Sequence, residues 1–327
     1  MSAWRNGGAD LPSYSELPKG VSGAGSAWNV FDKTGDLGLV NLQTKARVRK
    51  ALRLGKDGKV FCLSAPLDLF DPVFFAGRGK LRHQLMQKSA YAFDDVLDNF
   101  FPQASSQWDG LGHVGAADGM FYGGMTSEDI QGGRNSIDGW ARKGIVGRAV
   151  VLNTAALRDE DDRTGEDAWV ANSNAISVAD LEEARKRAGV NFECGDIILL
   201  YTGFLDWYSS QSMETRQRFV QKGVCNGGLE HSEEMADFLW NTHALGVAAD
   251  NIAVEQWPPN YSKEASPFGF LHQVLIGEFG MALGELWDLG ALARDCLEDG
   301  VYECCVVSSP MRLERGVGSP ANALAIK

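Results

Sequence analysis

The stretch Gln107-Trp108-Asp109-Gly110-Leu111-Gly112-His113, followed by Phe121-Tyr122-Gly123-Gly124, combines reactive side chains with glycines that rule out a long regular helix. Asp109 and His113 are four residues apart, so even one helical turn would place them on the same side. A carboxylate beside an imidazole can perform acid-base catalysis or hold a metal ion. The spacing alone leaves open a structural pair, because many solvated loops contain an Asp and a His.

The stretch resembles the motif of the metal-dependent hydrolase and cyclase family that includes kynurenine formamidase and isatin hydrolase. That motif reads His-x-Gly-Thr-His-x-Asp-x-x-x-His, and its Asp and last His align with Asp109 and His113. Its two leading His positions correspond to Gln103 and Gln107 in this chain. A branch of the family with Gln-Trp-Asp-Gly-Leu and then Phe-Tyr-Asn-Gly is more similar, which makes Gln107 a feature of that branch.

The resemblance extends over nearly the whole chain, from about Leu37 to Ile326. In the family, a His near the start of a late helix and a later Glu or Gln complete the metal site. His272 and Glu285 occupy the matching frame of leucine and glycine residues. The resemblance implies an α/β protein with the swivelling β/β/α cyclase-like fold, in which helices flank a mixed central sheet.

The implied metal site consists of Asp109, His272 and Glu285, with the amide oxygen of Gln107 as a weaker ligand. One imidazole and two carboxylates can hold one catalytic Zn²⁺ or Mn²⁺ with an open position for water. By resemblance, metal-bound water would attack the carbonyl group of an amide, lactam or lactone in a small cyclic or aromatic metabolite. His113, beside Asp109, would act as the catalytic proton shuttle.

Three aromatic residues are predicted to contact the substrate: Trp108, Tyr122 and Trp257. Trp257 begins a Pro-containing loop that looks like the lip of a pocket. Trp108 and Tyr122 could line a pocket for a flat or apolar substrate. The alternative for these two is the hydrophobic core, where single Trp and Tyr side chains are more common.

Other functions stay open on the sequence. Because Gln103 and Gln107 replace the usual His residues, a cyclase, dehydratase or isomerase could use Asp109 and His113 without any metal. A non-catalytic binding protein is a third hypothesis, and the joint presence of Asp109, His113, His272 and Glu285 argues against it. In a purely structural interpretation, Asp109 and His113 fix a loop while His272 caps a helix.

Composition narrows the class of protein. The 327 residues are 44% hydrophobic and 23% charged, as in ordinary soluble globular proteins. The net charge of −12 argues against nucleic acid or anionic membrane as a partner. No apolar run approaches the roughly 20 residues of a membrane helix.

The six cysteines form no CxxC pair, which favours reduced thiols in a cytoplasmic protein. The family resemblance also implies that the protein is a homodimer or a higher homo-oligomer.

The domain organisation predicted from the sequence is simple. Residues 1–27 are rich in Gly, Ser and Pro and are interpreted as a flexible or surface-draped arm, followed by one domain over 28–327. Residues Leu67–Gln87 are predicted to be a loop, since Pro72, Gly77 and Gly79 interrupt any period. Glu285 is predicted to begin a new element.

Two helices have clear signals. Ser177 is an N-cap residue followed by early acids, and Gly189 marks the end of that helix. Residues 230–245 have helical spacing and include His231 and His243. These two histidines point in different directions around a helix, so both are interpreted as structural.

Overall fold

The structure is a computed structural model that describes residues 11–31, 36–160, 164–165, 168–169 and 174–327. Within these ranges, no helix is both long and apolar enough to cross a membrane. Residues 1–10 of the predicted arm lie outside the described residues.

The described residues contain fifteen strands, most of them short. They are β1 (Val60–Cys62), β2 (Arg82–Ser89), β3 (Ala92–Asp98), β4 (Gln107–Asp109), β5 (Met120–Phe121), β6 (Met125–Thr126), β7 (Ile145–Asn153), β8 (Ala175–Ile176), β9 (Ile197–Tyr201), β10 (Gly228–Leu229), β11 (Gly246–Ala249), β12 (Ala282–Glu285), β13 (Glu303–Ser308), β14 (Gly318–Pro320) and β15 (Ala323–Ile326).

Nine of these strands form one central sheet, in the order β1-β15-β13-β7-β9-β11-β12-β4-β14. The four central strands β7, β9, β11 and β12 are parallel, whereas the strands on both sides of them are antiparallel. Parallel strands are buried on both faces, which explains the continuous apolar run Ile197-Ile198-Leu199-Leu200 in β9. The predicted α/β class with a mixed central sheet and flanking helices is confirmed.

Alternating side chains of the central strands divide the core into two layers. Ile198 and Leu200 of β9 join one buried cluster, and Ile197 and Leu199 join the other. This alternation has a period of two residues, as strand geometry requires. The side chains of adjacent residues in a strand therefore point into opposite layers of the core. This alternation determines which strand residues can contribute to one site.

Eight α-helices and one π-helix connect or cover the described strands. They are α1 (Lys45–Ala51), α2 (Ser127–Gln131), α3 (Ile137–Lys143), α4 (Val178–Ala188), α5 (Phe204–Ser210), α6 (Met213–Gln221), α7 (Glu233–Asn241), α8 (Gly290–Asp299) and the π-helix Gln273–Glu278.

Helix α4 begins after Ser177 and ends before Gly189, as the sequence predicts. The Ser177 hydroxyl accepts a hydrogen bond from the backbone N–H of Asp180, while the Asp180 carboxylate accepts from Ser177 in return. Gly189 ends α4 in the left-handed region at φ 66°. A capping box and a C-terminal glycine are local features, so they act without help from tertiary contacts.

The loop predicted over Leu67–Gln87 is wrong for its last part. Arg82–Ser89 forms β2, which pairs with β3 in an antiparallel hairpin. All residues of β2 and all but Val96 in β3 are exposed. A strand exposed on both faces needs no alternation of apolar and polar residues, so the usual sequence signal of a strand is missing.

Residues 11–27 lie along α7 and the π-helix. Tyr14 packs edge-to-face against Phe279, and its backbone N–H donates to the side chain of Asn241. Trp240 donates from its indole to the carbonyl oxygen of Pro12. The division at residue 27 and the single domain over 28–327 stay predictions.

Candidate active site

Strand β4 provides the first two site residues. Its three residues are fully buried between β12 and β14, with Gln107 paired to Glu285 and Asp109 paired to Leu283. Because side chains alternate along a strand, Gln107 and Asp109 face the same layer and Trp108 faces the other.

The prediction that Trp108 contacts the substrate is therefore corrected. Trp108 is completely buried in the opposite layer, where its ring packs edge-to-face on Trp287 and Trp140. Its indole N–H donates to the hydroxyl of Ser308. The physical reason is the two-residue period of the strand, which sends the indole away from the Asp109 carboxylate.

Asp109, His272 and Glu285 come together in the structure from three separate parts of the chain. One ligand atom from each lies within 4.8 Å of the others. Nε2 of His272 is 3.2 Å from Oε1 of Glu285 and 3.7 Å from Oδ2 of Asp109. All three residues are buried. Glu285 ends β12 rather than beginning a new element, so that prediction is wrong, yet the carboxylate still faces His272.

Glu255 fixes the orientation of His272. Its two carboxylate oxygens accept the backbone N–H groups of Leu271 at 2.6 Å and His272 at 2.8 Å. The Nδ1 atom of the His272 ring forms a short hydrogen bond with the same carboxylate. Because Nδ1 donates to Glu255, Nε2 remains directed at Asp109 and Glu285. A carboxylate behind the imidazole is the usual way to orient a metal-binding histidine.

His113 stands between the buried cluster and solvent. Its Nε2 is 3.4 Å from Oδ1 of Asp109, and its side chain is 23% exposed, whereas the Asp109 side chain is not exposed at all. The backbone N–H of His113 donates to Gly110 in a turn. The pair is thus brought together by a strand followed by a turn, not by the helical turn that the spacing allowed.

The buried carboxylates of Asp109 and Glu285 lie close together and require a positive charge between them. Burial alone would raise the pKa of the Asp109 carboxyl, but His113 and His272 outweigh burial and hold that pKa below its ordinary value. Burial and the nearby Asp109 charge raise the pKa of Glu285. Burial alone would lower the pKa of His272, but Asp109, Glu255 and Glu285 together raise it well above its ordinary value. Either a proton on Nε2 or a cation must therefore separate His272 from the two carboxylates.

The donor atoms fit a metal ion. Both carboxylate oxygens of Asp109 and Oε1 of Gln107 are buried and have no hydrogen-bond partner, while Nε2 of Gln107 donates to Glu285. Unpaired buried acceptors are costly, and a divalent cation bound by Asp109, His272 and Glu285 would satisfy the Asp109 carboxylate. One nitrogen and several oxygen donors suit Mn²⁺ or Zn²⁺.

Aromatic rings extend from His272 toward the surface. Phe270 stacks on the His272 ring with centroids 4.9 Å apart and planes inclined by 15°. Trp257 packs edge-to-face on Phe270 at 6.4 Å and on Phe75 at 5.2 Å. One ring, that of Phe270, thus separates the predicted lip residue Trp257 from the imidazole of His272. The contact of Trp257 with substrate stays a prediction.

Tyr122 lies elsewhere in the core. It is buried and lines a small cavity with Trp28, Asp36 and Arg134. Burial raises the pKa of its hydroxyl. Its predicted contact with substrate also stays a prediction.

Sequence reasoning missed two supporting residues. No sequence pattern marks Glu255 as part of the site, and the helical spacing around His231 indicates only a structural role. His231 lies with Nε2 2.7 Å from Oε2 of Glu255, so both support His272 from behind. Their separation from His272 in sequence hides this arrangement, since no local period connects the three.

We expect Glu255→Gln to weaken metal binding by about 10- to 100-fold, the usual effect of losing the partner of a metal-binding histidine. The amide has one acceptor oxygen for the four nitrogen atoms that contact this carboxylate, and its NH₂ group would face an N–H. Titration of the metal-free protein with Mn²⁺ or Zn²⁺ measures the affinity. Glu278→Gln is the matched control, because Glu278 is equally buried in the π-helix but binds Ser22. Equal affinity of Glu255→Gln and the wild type would contradict this role.

Comparison with known proteins connects this geometry to a family. The sequence model of the Putative cyclase family matches residues 63–256. A search of curated proteins finds no match.

Solved structures share the fold. A crystal structure of a novel cyclase is 26% identical, with 92% of this chain and 99% of that chain covered and a TM-score of 0.79. Isatin hydrolase A from Ralstonia solanacearum is 16% identical, with 86% and 97% covered and a TM-score of 0.56. An isatin hydrolase bound to the product analogue thioisatinate is 13% identical, with 86% and 98% covered and a TM-score of 0.58.

Proposed function

Since this chain belongs to the Putative cyclase family, as its sequence predicted, we propose that it is a metal-dependent hydrolase of a small molecule. The bond would be an amide, lactam or lactone in a small cyclic or aromatic metabolite. The observation that carries the proposal is the buried cluster of Asp109, His272 and Glu285, whose donor atoms lie within 4.8 Å of one another and in which both Asp109 oxygens lack a hydrogen-bond partner. Such a group is costly in a purely structural role and useful in a catalytic one.

Asp109, His272 and Glu285 would hold one Zn²⁺ or Mn²⁺, with Oε1 of Gln107 as a further ligand. Three of these four donors are oxygens, which favours Mn²⁺ over Zn²⁺ when both ions are present. When bound, the ion would polarise the substrate carbonyl group and lower the pKa of a water molecule. Glu255 and His231 keep the His272 ring in place.

His113 would move the proton. Its imidazole reaches the Asp109 carboxylate on one side and solvent on the other, so it can take a proton from the attacking water and return it to the leaving nitrogen or oxygen. Asp109 stabilises the charged form of the imidazole while this happens. Losing either function should slow turnover more than it weakens binding.

The aromatic rings would select the substrate. Phe270 covers one face of the His272 ring, and Trp257 and Tyr261 pack on Phe270, so apolar surface lies beside the carboxylates. Tyr261 is 73% exposed and free to contact an incoming ring. A flat substrate would bury its ring here and direct its carbonyl group to the polar cluster.

A metal-independent cyclase, dehydratase or isomerase is the second candidate. One observation favours it: Gln103 and Gln107 stand where the family motif has its two leading His residues, so two nitrogen ligands of that motif are missing from this chain. Acid-base chemistry by His113 and Asp109 would then act alone. The two candidates differ in their response to a chelator.

The experiment is a small panel of substrates that contain the three bond types: formanilide as the amide, isatin as the lactam and dihydrocoumarin as the lactone. Each is tested with metal-free protein, with added Mn²⁺ or Zn²⁺, and with excess chelator. We expect ring opening or deformylation that a chelator abolishes and a metal restores. Turnover that survives complete removal of metal would reject the proposal in favour of the second candidate.

We expect Gln107→His to tighten metal binding, because imidazole nitrogen is a stronger donor to Zn²⁺ than an amide oxygen. Its side chain already faces the cluster through its contact with Glu285. Calorimetric titration of the metal-free variant measures the affinity. Gln84→His on the exposed strand β2 controls for adventitious binding by an added imidazole. An unchanged affinity would mean that Gln107 takes no part in ligation.

A further inference from the structure

Arg78 is a half-buried arginine without an acidic partner in the described residues. Half-buried arginines elsewhere, such as Arg134 and Arg185, pair with a carboxylate at 2.8 Å. Within the part of the chain that the structure describes, the guanidinium of Arg78 donates only to the backbone carbonyl oxygen of Gln103. Since a guanidinium has five N–H donors, most of those on Arg78 remain available to a ligand.

The side chain of Arg78 lies at the far end of the aromatic rings that begin at His272. Its guanidinium carbon is 4.9 Å from the centre of the Phe75 ring, and that ring packs edge-to-face on Trp257. Phe270 then connects Trp257 to the imidazole. An aromatic face below a guanidinium fixes its plane and leaves the N–H groups at its rim free to donate.

A second contact connects Arg78 to the strand that carries Asp109. The Gln103 residue to which Arg78 donates has its side chain against Gly318, where an added Cβ would lie 2.8 Å from Nε2 of Gln103. Gly318 pairs directly with Asp109 between β14 and β4. Burial raises the pKa of Glu285 and acts in the same direction on Asp109, and the charge of Arg78 opposes burial at both carboxyl groups. The guanidinium therefore stands beside the buried cluster.

The charges of the site favour an anion once a metal ion is bound. The carboxylates of Asp109 and Glu285 balance the two positive charges of one Mn²⁺ or Zn²⁺. Glu255, on the other side of His272, is held between two imidazoles. Arg78 adds a positive charge that no group of the metal site balances. A guanidinium matches a carboxylate in shape and donates two parallel hydrogen bonds to it.

We propose that Arg78 binds a carboxylate of the substrate, so that the preferred substrates are aromatic acids whose carboxylate is remote from the reacting bond. The inference rests on the proposed function, because it names the substrate class of the same site. The ring of the substrate lies along Phe270 and Trp257. Its carboxylate meets the guanidinium of Arg78, while its amide, lactam or lactone carbonyl group faces the metal site.

The first test measures binding without turnover. The probes are 3- and 4-acetylbenzoate, whose ketone cannot be hydrolysed, and the corresponding neutral acetylbenzamides. Calorimetry on the Mn²⁺-loaded protein should show that wild type binds one of the two acids about 10- to 100-fold more tightly than its amide, the usual effect of a charge-assisted hydrogen bond. Arg78→Gln should bind acid and amide equally, and Arg78→Lys should keep part of the preference.

The control for the binding test is Arg53→Gln, because Arg53 is an exposed arginine just after α1. Metal content and the circular dichroism spectrum show whether each variant keeps its site and its fold. An equal preference for the acid in wild type and Arg78→Gln would mean that the metal or another group binds the carboxylate. That result, or a wild type without any preference, would overturn the proposal.

The second test uses turnover of 4-formamidobenzoate and 4-formamidobenzamide, which share the formamide bond and differ in charge. Wild type should have a kcat/KM about 10- to 100-fold higher for the acid. Arg78→Gln should lose this advantage and leave the value for the amide unchanged. An equal loss on both substrates would assign Arg78 to the transition state and overturn its role in recognition. No turnover of either compound, with the preference for the acid kept in the binding test, would support the role of Arg78 and count against the proposed hydrolysis.

Discussion

Asp109→Ala is expected to abolish metal binding by the purified protein. Asp109 is fully buried, and neither of its carboxylate oxygens has a hydrogen-bond partner. Removing it leaves His272 and Glu285 with only the neutral amide of Gln107, and such a set holds a divalent ion poorly. We expect the variant to carry almost no Mn²⁺ or Zn²⁺ after gel filtration, as measured by elemental analysis.

In the Asp109→Ala variant, the thermal stability should no longer depend on the presence of metal ions. A ligand that binds only the folded state at a hundredfold excess over its Kd stabilises the protein by about 2.7 kcal/mol. Wild type should therefore melt at a higher temperature with metal than with chelator, and Asp109→Ala should melt at one temperature in both. Asp138→Ala is the control, because Asp138 is also a buried acid but pairs with Arg142 and Arg312. Full metal content in Asp109→Ala would refute the ligand assignment.

His113→Asn is expected to lower turnover by about 10²- to 10⁴-fold, the usual contribution of a general acid or base. Asparagine keeps much of the volume and one hydrogen bond of His113 but cannot carry a proton. Since His113 is assigned as a shuttle and not a ligand, KM and metal content should change little. Steady-state kinetics on whichever panel substrate wild type hydrolyses, together with elemental analysis, measures both effects.

Two outcomes would contradict this role of His113. Loss of metal in the variant would make His113 a ligand, and normal turnover would make its pair with Asp109 structural. His243→Asn is the control for general damage by the substitution, because His243 packs on Trp240 and contacts the carbonyl oxygen of Pro12.

Local signals predicted much of the fold. The capping residues of α4 act over a few neighbouring residues, and that helix forms where the sequence predicts it. The β2–β3 hairpin escaped prediction because neither of its faces is buried within the chain. Glu285 was assigned to the start of an element because the glycines before it resemble a break, whereas β12 accepts Gly284 inside a buried strand.

The site was predictable only in part, for a similar reason. The resemblance indicated Asp109, His272 and Glu285 together, and the structure brings them within reach of one ion. The sequence allows Trp108 either a place in the pocket or one in the hydrophobic core, and the strand decides for the core because it sends adjacent side chains to opposite layers. Glu255 is 17 residues from His272, so their hydrogen bond depends on tertiary folding that no short pattern reports.

The most direct test of the metal-dependent assignment is elemental analysis of the purified, active protein combined with anomalous diffraction from its crystals. We predict one equivalent of Mn²⁺ or Zn²⁺ per chain, with an anomalous peak between Asp109, His272 and Glu285. A fully active protein without metal, or a metal located away from these three residues, would contradict the account.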